Sequence, residues 1–436
     1  MMVKMLTKSR WNTVKVEQLA ANTKHALAMG PFGSRITKDN FVDSGVPVIR
    51  GVNISNDLFD HKNLVFITET KADELAASNA FPDDLVFTHR GTLGQVGIIP
   101  WGYYPRYVVS QSQMKLTCDQ TKVLPMFLYY YFRSEWGQHE LLSHTGGSGV
   151  PAISSPLTTL RNATIHLPPL PTQRKIAAIL SAYDELIENN TRRIAILEEM
   201  AQSLYREWFV HFRFPGHEKK KMVESPLGLI PEGWEMVKLG EVCNITMGQS
   251  PSSEYYNSRG EGLPFHQGVS DFGERFPTDR MYCSIENRIA EDGDILFSVR
   301  APVGRINLAN KKIVIGRGLC AIRSKTGNQR FVYQQLKEQF QEEDTIGNGA
   351  IFKSVTKEDM HNIKMLWPST EIISSFEKFL ESIFSVLDVL TKKNANLRKT
   401  RDLLLPKLIS GELDVEQLEI AGVEESEERE TKAVEA

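Results

Sequence analysis

Residues 173–208 read QRKIAAILSAYDELIENNTRRIAILEEMAQSLYREW. Neither proline nor glycine interrupts them. Ile176, Leu180, Tyr183, Ile187, Asn190, Ile194, Leu197, Ala201, Leu204 and Trp208 follow one another at alternating steps of four and three. That spacing holds one stripe of a helix against a partner helix over many turns. At 1.5 Å per residue the helix is roughly 50 Å long. Thr172 is placed to cap its start, behind Pro171, and Pro215-Gly216 lies beyond its end.

Adding 200 to each number finds the pattern again. Phe376, Leu380, Ile383, Leu387, Leu390, Asn394, Leu397, Arg401, Leu404 and Leu408 form a second seam. Its polar members are Asn394 and Arg401. Two such seams in one chain predict that they pack on each other.

The segments before each seam also repeat. WNTVKV from Trp11 matches WEMVKL from Trp234, and GVPVIRGVN from Gly45 matches GLPFHQGVS from Gly262. DLVFTHRGTLG from Asp84 matches DILFSVRAPVG from Asp294, and residues 149–168 match 349–368. Four blocks in one order indicate an internal duplication. The predicted fold class is α+β, with two mixed α/β domains at 1–168 and 234–370. Long helices at 169–214 and 371–411 separate them. Residues 215–233, punctuated by Pro and Gly, are expected to be a linker, and Lys219 to Lys221 a solvated run.

Within the domains, strands are predicted at 46–50, 85–88, 108–116, 295–298 and 312–315, and helices at 125–138 and 329–343. The turns TGGSG from Thr145 and IGNG from Ile346 stand either as plain loops or as backbone cradles for phosphate.

The net charge of −3 conceals an asymmetry. From Glu412 onward ten acidic residues face two basic ones, so this tail carries −8 and residues 1–411 carry +5. A mildly basic body permits a nucleic-acid partner. The tail, 412–436, reads as solvated and disordered. Cys118, Cys243, Cys283 and Cys320 are scattered without a CxxC pair, which argues against zinc and for a reducing, cytoplasmic setting. No apolar run reaches membrane-spanning length.

Catalytic signatures are missing. There is no GxxxxGK[ST], no HExxH and no GxGxxG following a strand, and Leu167-Pro-Pro-Leu lacks the acidic or Asn residue and aromatic of an aminomethyltransferase motif. Neither catalytic residues nor metal ligands are expected. What remains is polar and loop-borne. The first domain offers Ser34, Arg35, Lys38, Arg50, Asn53, His89, Arg90, Arg106, Gln111 and Gln113. The second offers Gln249, Ser252, Tyr255, His266, Gln267, Arg300, Arg305, Arg317 and Lys353. Arg reads guanine, and Asn or Gln reads adenine, through paired hydrogen bonds in the major groove, while Arg, Lys and Ser also hold phosphates. Arg90 and Arg300 are repeat-equivalent and suit a shared task such as phosphate holding. Positions that differ, such as Arg50 against Gln267, suit sequence reading.

Four stretches carry a family resemblance: 167–180 (LPPLPTQRKIAAIL), 225–234 (SPLGLIPEGW), 293–304 (GDILFSVRAPVG) and 404–413 (LLPKLISGEL). Through them the chain resembles the specificity subunit of type I restriction–modification enzymes, over nearly everything from Trp11 to Leu413. Residues 368–373 are a loose version of the family's entry into the helix. The resemblance implies that each domain is a target recognition domain reading one half of a split, asymmetric DNA site, and that the long helices form an antiparallel coiled coil setting the gap between halves, with pseudo-two-fold symmetry. It implies two methyltransferase subunits using S-adenosylmethionine, and restriction subunits that are motor–nucleases using ATP and Mg²⁺. This chain would bind no cofactor itself. A DNA-modifying enzyme with unseen motifs and a protein-binding scaffold are the competing readings.

If the long helices run antiparallel with ends aligned, residue n faces residue 584 − n. Asn190 then meets Asn394, Leu197 meets Leu387, and Tyr183 meets Arg401 in a ring-on-guanidinium stack. Ile179, Leu186 and Met200 lie beside the seam, where burial under the chain's own domains competes with partner docking.

Overall fold

The computed structural model describes residues 11–54, 59–61, 63–146, 150–225, 228–341, 345–346, 350–351 and 354–420. The chain divides into two compact units, one formed by residues up to Asn190 together with those from Lys393, the other by Thr191–Lys392. Among the described residues no helix is long and apolar enough to cross a membrane.

The first unit opens with β1 (Asn12–Lys15). Then come β2 (Leu27–Met29), β3 (Val46–Ile49), β4 (Val65–Ile67), β5 (Asn79–Ala80) and β6 (Leu85–Thr88). β7 (Val96–Ile98), β8 (Tyr107–Val109) and β9 (Gln113–Leu116) complete the sheets. α1 (Pro125–Arg133) and α2 (Glu135–Leu142) follow, then β10 (Thr164–Leu167) and the long helix α3 (Leu170–Tyr205). One sheet has the order β2-β9-β6-β7 and is antiparallel; the other has the order β4-β3-β8-β5, with β3 and β8 parallel. β1 pairs with β10, Asn12 opposite Leu167.

The strand expected over 108–116 is two strands. A turn at 110–112 passes the chain from one sheet to the other, so β8 and β9 serve different sheets. The helix expected over 125–138 is also two, broken at Ser134, whose hydroxyl accepts the Gly137 N–H and caps α2. Leu85, Phe87, Met114, Leu116 and Phe127 form the core. Ile176 and Leu180 of α3 close over it. Each such side chain contributes about 1.5–3 kcal/mol by leaving water.

The second unit repeats this plan. It contains β11 (Met222–Ser225), β12 (Gly228–Pro231), β13 (Glu235–Lys238), β14 (Cys243–Met247), β15 (Tyr256–Asn257) and β16 (Leu263–His266). It continues with β17 (Tyr282–Cys283), β18 (Ile289–Ala290), β19 (Ile295–Ser298), β20 (Ile306–Leu308), β21 (Ile313–Ile315) and β22 (Leu319–Ser324). α4 (Gln329–Gln339), β23 (Lys364–Trp367) and the long helix α5 (Thr370–Ile409) complete the chain's main elements. The antiparallel sheet is β14-β22-β19-β20, and the mixed sheet β15-β17-β16-β21-β18 holds β16 and β21 parallel. β13 pairs with β23 as β1 does with β10. The sheet orders and the parallel pair recur, as duplication requires, with β15 an added edge strand in the second mixed sheet. Phe297, Ile322, Phe331 and Leu336 share one core with Ile194, Tyr205 and Trp208 of α3 and Phe376, Leu380 and Leu387 of α5.

The long-helix seam is realised within each unit. In the first, Ile176, Leu180, Leu404 and Leu408 meet in one apolar cluster, and the buried side chains of Asn190 and Asn394 hydrogen-bond at 2.9 Å. Asn394 Nδ2 also donates to the Ile187 carbonyl. The pairing is antiparallel in the expected register. In the second unit Ile194, Leu197, Leu204, Leu380, Ile383 and Leu387 share a cluster. Leu397 is half-buried.

Four expectations need correction. Arg401 does not stack on Tyr183; its guanidinium Nη1 donates to the buried carboxylate of Asp184, one residue further along. An ion partner outcompetes a ring for a charge with almost no water around it. Thr172 is not the cap of α3, which already starts at Leu170 and leaves Thr172 buried. Within 215–233, β11 and β12 form a hairpin, Met222 opposite Pro231. Finally, the start of the expected tail is tethered: residues 412–414 and 416–419 are exposed, as expected, but Val415 is buried in the first unit's core, and Lys175 donates to the Glu416 carbonyl at 2.9 Å. Residues 421–436 lie outside the described residues, as do the tips of the Gly-rich turns at 147–149 and 347–349.

Candidate nucleic-acid interface

In both units the ends of the parallel strand pair converge with two neighbouring loops. In the second unit the Gly316 N–H donates to the His266 carbonyl, Gly318 N–H to the Gln267 carbonyl, and Val299 N–H to the Gly318 carbonyl. These bonds bring Gln267, Arg317 and Arg300 together from three separated segments. They line an open pocket of about 300 Å³ with Gly268, Val269, Ser270, Ala301 and Gly318. All three long side chains are exposed. None makes a hydrogen bond or ion pair with a described residue. No acidic residue lines the pocket. Two guanidinium groups beside small residues and glycine backbone form a surface that attracts anions and lets them approach closely.

The first unit builds the same junction. Ser110 N–H donates to the Ile49 carbonyl, and His89 N–H to the Ser112 carbonyl. Position by position, Arg50 corresponds to Gln267, Gln111 to Arg317, and Arg90 to Arg300. Gly30 and Gly248 occupy equivalent places as well, each N–H bonding across to the antiparallel partner strand. A Cβ on Gly30 would fall 1.8 Å from the Ser110 carbonyl oxygen, and one on Gly248 would fall 2.2 Å from that of Gly316. Only glycine allows this approach.

Several candidate residues hold the junction together and do not face outward. Asn53 is fully buried: its Oδ1 accepts the Arg50 N–H and its Nδ2 donates to the Asp60 carbonyl. Gln113 is fully buried and bonds Thr88 and Ser110. His89 is buried, its Nε2 on the Gln111 carbonyl at 3.1 Å, and burial holds its pKa below the ordinary histidine value. His266 is fully buried between Asp279, at 3.2 Å, and Asp271, at 3.7 Å. Arg106 is held by Asp73 and Glu69. These five side chains therefore position loops and do not offer free contacts. Asn53, His89, Gln113 and His266 are buried, and a buried polar side chain must be satisfied from within the protein.

The remaining candidates sit on the same loops. Ser34, Arg35 and Lys38 are exposed on the loop after β2, with Arg35 donating to the Glu74 carbonyl at 3.2 Å. Arg50 is half-buried and its Nη2 donates to the Asn63 carbonyl. Gln249, Ser252 and Tyr255 are exposed on the equivalent loop after β14, and Arg305 is exposed after β19. Lys353 lies outside the described residues. Two exposed side chains escaped the sequence reading, Phe32 at 67 % and Val52 at 62 %. The signal for Phe32 was a bulky apolar residue inside a Gly-Pro-Phe-Gly turn. Nothing marked Val52.

Among the described residues no group of His, Cys, Asp or Glu is arranged to hold a metal. All four cysteines are buried and unpaired. On α3 and α5, Leu186, Ile196 and Met200, and Phe379, Val386, Val389 and Leu403, are exposed, whereas Ile179 packs on the first unit's core.

Comparison with known proteins gives one consistent result. Residues 11–199 and 231–404 match the family described as the type I restriction modification DNA specificity domain. A specificity subunit named for the type I restriction enzyme MjaX of Methanocaldococcus jannaschii is 32 % identical over 384 residues, 87 % of this chain and 89 % of that protein. The MjaIX specificity subunit of the same organism is 27 % identical over 366 residues, covering 81 % and 82 %. The crystal structure of a type I restriction–modification S subunit from M. genitalium shares the fold, with a TM-score of 0.52 at 17 % identity, covering 93 % of this chain and 98 % of that one.

Proposed function

Because the chain belongs to the type I restriction–modification DNA specificity family, we propose that it is the non-catalytic subunit that chooses the DNA site for a restriction–methylation complex. Each unit reads one half of a bipartite, asymmetric duplex site through its strand-end junction. The observation that carries this reading is the recurrence of that junction: an invariant Arg (Arg90, Arg300) beside two positions whose side chains differ between the units. One exposed cation held in common suits the phosphate backbone, which is the same everywhere. Differing Arg and Gln side chains suit base edges, which are not.

Catalysis is assigned to partners. Two methyltransferase subunits bring S-adenosylmethionine, and restriction subunits bring ATP and Mg²⁺. Helices from the methyltransferases dock on the exposed apolar flank of α3 and α5, where Leu186, Met200 and Val386 are exposed. The complex acts in the cytoplasm.

The test is to map modified bases across a genome with and without this chain, then exchange one unit for that of a relative. A bipartite motif that appears with the chain, and changes in one half on exchange, is the expected result. Methylation of DNA by the purified chain with S-adenosylmethionine alone would overturn the non-catalytic assignment.

A further inference from the structure

The two junctions carry the same pair of side chains in opposite positions. At the end of the first strand of the parallel pair stand Arg50 and Gln267; at the turn after the second stand Gln111 and Arg317. We propose that this pair is the principal base-reading element of each unit: Arg contacts a guanine, Gln an adenine at the neighbouring base pair, and the two units read these letters in exchanged strand positions. The inference rests on the DNA-reading function proposed above and names the residues that perform it.

Three observations carry it. First, neighbouring strands lie ~4.8 Å apart, close to the ~3.4 Å rise between base pairs on one DNA strand. Side chains leaving adjacent strand ends therefore reach adjacent steps. Second, the side chains of Gln267 and Arg317 make no hydrogen bond or ion pair with a described residue, and they share their pocket with Gly268 and Gly318, so no described group of their own unit competes for their side-chain polar atoms. Third, Arg50 is steadied by its Nη2 bond to the Asn63 carbonyl, and its backbone N–H by Asn53. The chemistry fits the residue types, since Arg matches the O6 and N7 of guanine and Gln the N6 and N7 of adenine bidentately. Arg90 and Arg300, unchanged between the units, are left for phosphate.

The experiment uses the full chain in its methyltransferase complex, with genomic DNA as the probe and single-molecule sequencing of modified bases as the readout. Arg317→Gln and Arg317→Lys should each relax one position of one half-site by about tenfold or more, and leave the other half-site as in the parent. Lysine retains the charge but lacks the fork. The double variant Gln267→Arg/Arg317→Gln should transpose a guanine and an adenine in that half-site. Arg300→Ala should weaken modification at all sites without altering the motif. The proposal is overturned if both Arg317 variants lower modification evenly with the motif intact, or if Arg317→Lys abolishes modification while the chain still melts like the parent. A parent chain that specifies no bipartite motif would instead refute the underlying function.

Discussion

Asn190 Nδ2 donates to Asn394 Oδ1 at 2.9 Å, inside a seam whose other members are mostly apolar. Both side chains are nearly out of reach of water. Each is tolerable there only because the other is polar. Slipping one helix along the other would set an amide against leucine, so this contact selects the register as buried Asn pairs do in coiled coils.

Asn190→Leu should therefore destabilise the chain by about 1–3 kcal/mol, the cost of an orphaned buried amide. The partner change Asn394→Leu should cost a similar amount. Combined, the two should recover much of the loss, because neither amide is then left unmatched. Chemical denaturation of the four proteins checks this; strictly additive losses would contradict it.

Asp184 poses a sharper case. It accepts from Tyr130 Oη at 2.6 Å and from Arg401, with Arg133 at 3.9 Å, and it is 3 % exposed. Burial first, and the Asp184 charge second, push the Tyr130 hydroxyl far above its ordinary pKa, so it remains a donor. Asp184→Ala removes the buried carboxylate from Arg401 and leaves it the exposed carboxylate of Asp402, at 3.0 Å, so about 3 kcal/mol should be lost. Asp184→Leu/Arg401→Met should be markedly more stable than Asp184→Ala alone. Thermal melts of the set decide this.

The sequence made the duplication, both long helices and the Asn pair legible, because helical periodicity survives over ten turns and repeats align by eye. It did not separate outward from inward polar residues at strand ends. Gln111 and Gln113 differ by two positions in one turn, yet one is exposed and the other fully buried. The change of sheet at 110–112, invisible to an alternation pattern, causes that. Asp184 was likewise hidden, since an acidic residue next to a seam is normally solvated. The hairpin at 222–231 was masked by its Pro and Gly content, which marks turns without saying what they join.

His89 supplies a pH dependence. Burial lowers its folded pKa, and the hydrogen bond to the Gln111 carbonyl only partly opposes this. The unfolded chain then takes up a proton near pH 6.5 that the folded chain resists. Stability is thus unaffected well above that pH and falls as pH drops below about 6.5. His89→Val, which installs the residue found at the equivalent Val299, should remove this contribution. Melting temperature between pH 7.5 and 5.5 should fall more steeply for the parent than for the variant, and identical slopes would refute the assignment.

Both long helices cross from one unit to the other without a break, at Asn190 in α3 and Lys392 in α5. Seven residues added to each helix at those points restore the heptad phase and lengthen each by ~10 Å. With ~3.4 Å per base pair, the unread spacer of the bipartite site should grow by about three base pairs, and both half-site sequences should stay the same. Seven residues added to α3 alone break the match between the seams and should abolish or disturb recognition. Mapping modified bases for the three proteins measures spacer and half-sites together. A spacer unchanged by the paired insertion would mean that something other than these helices sets the distance.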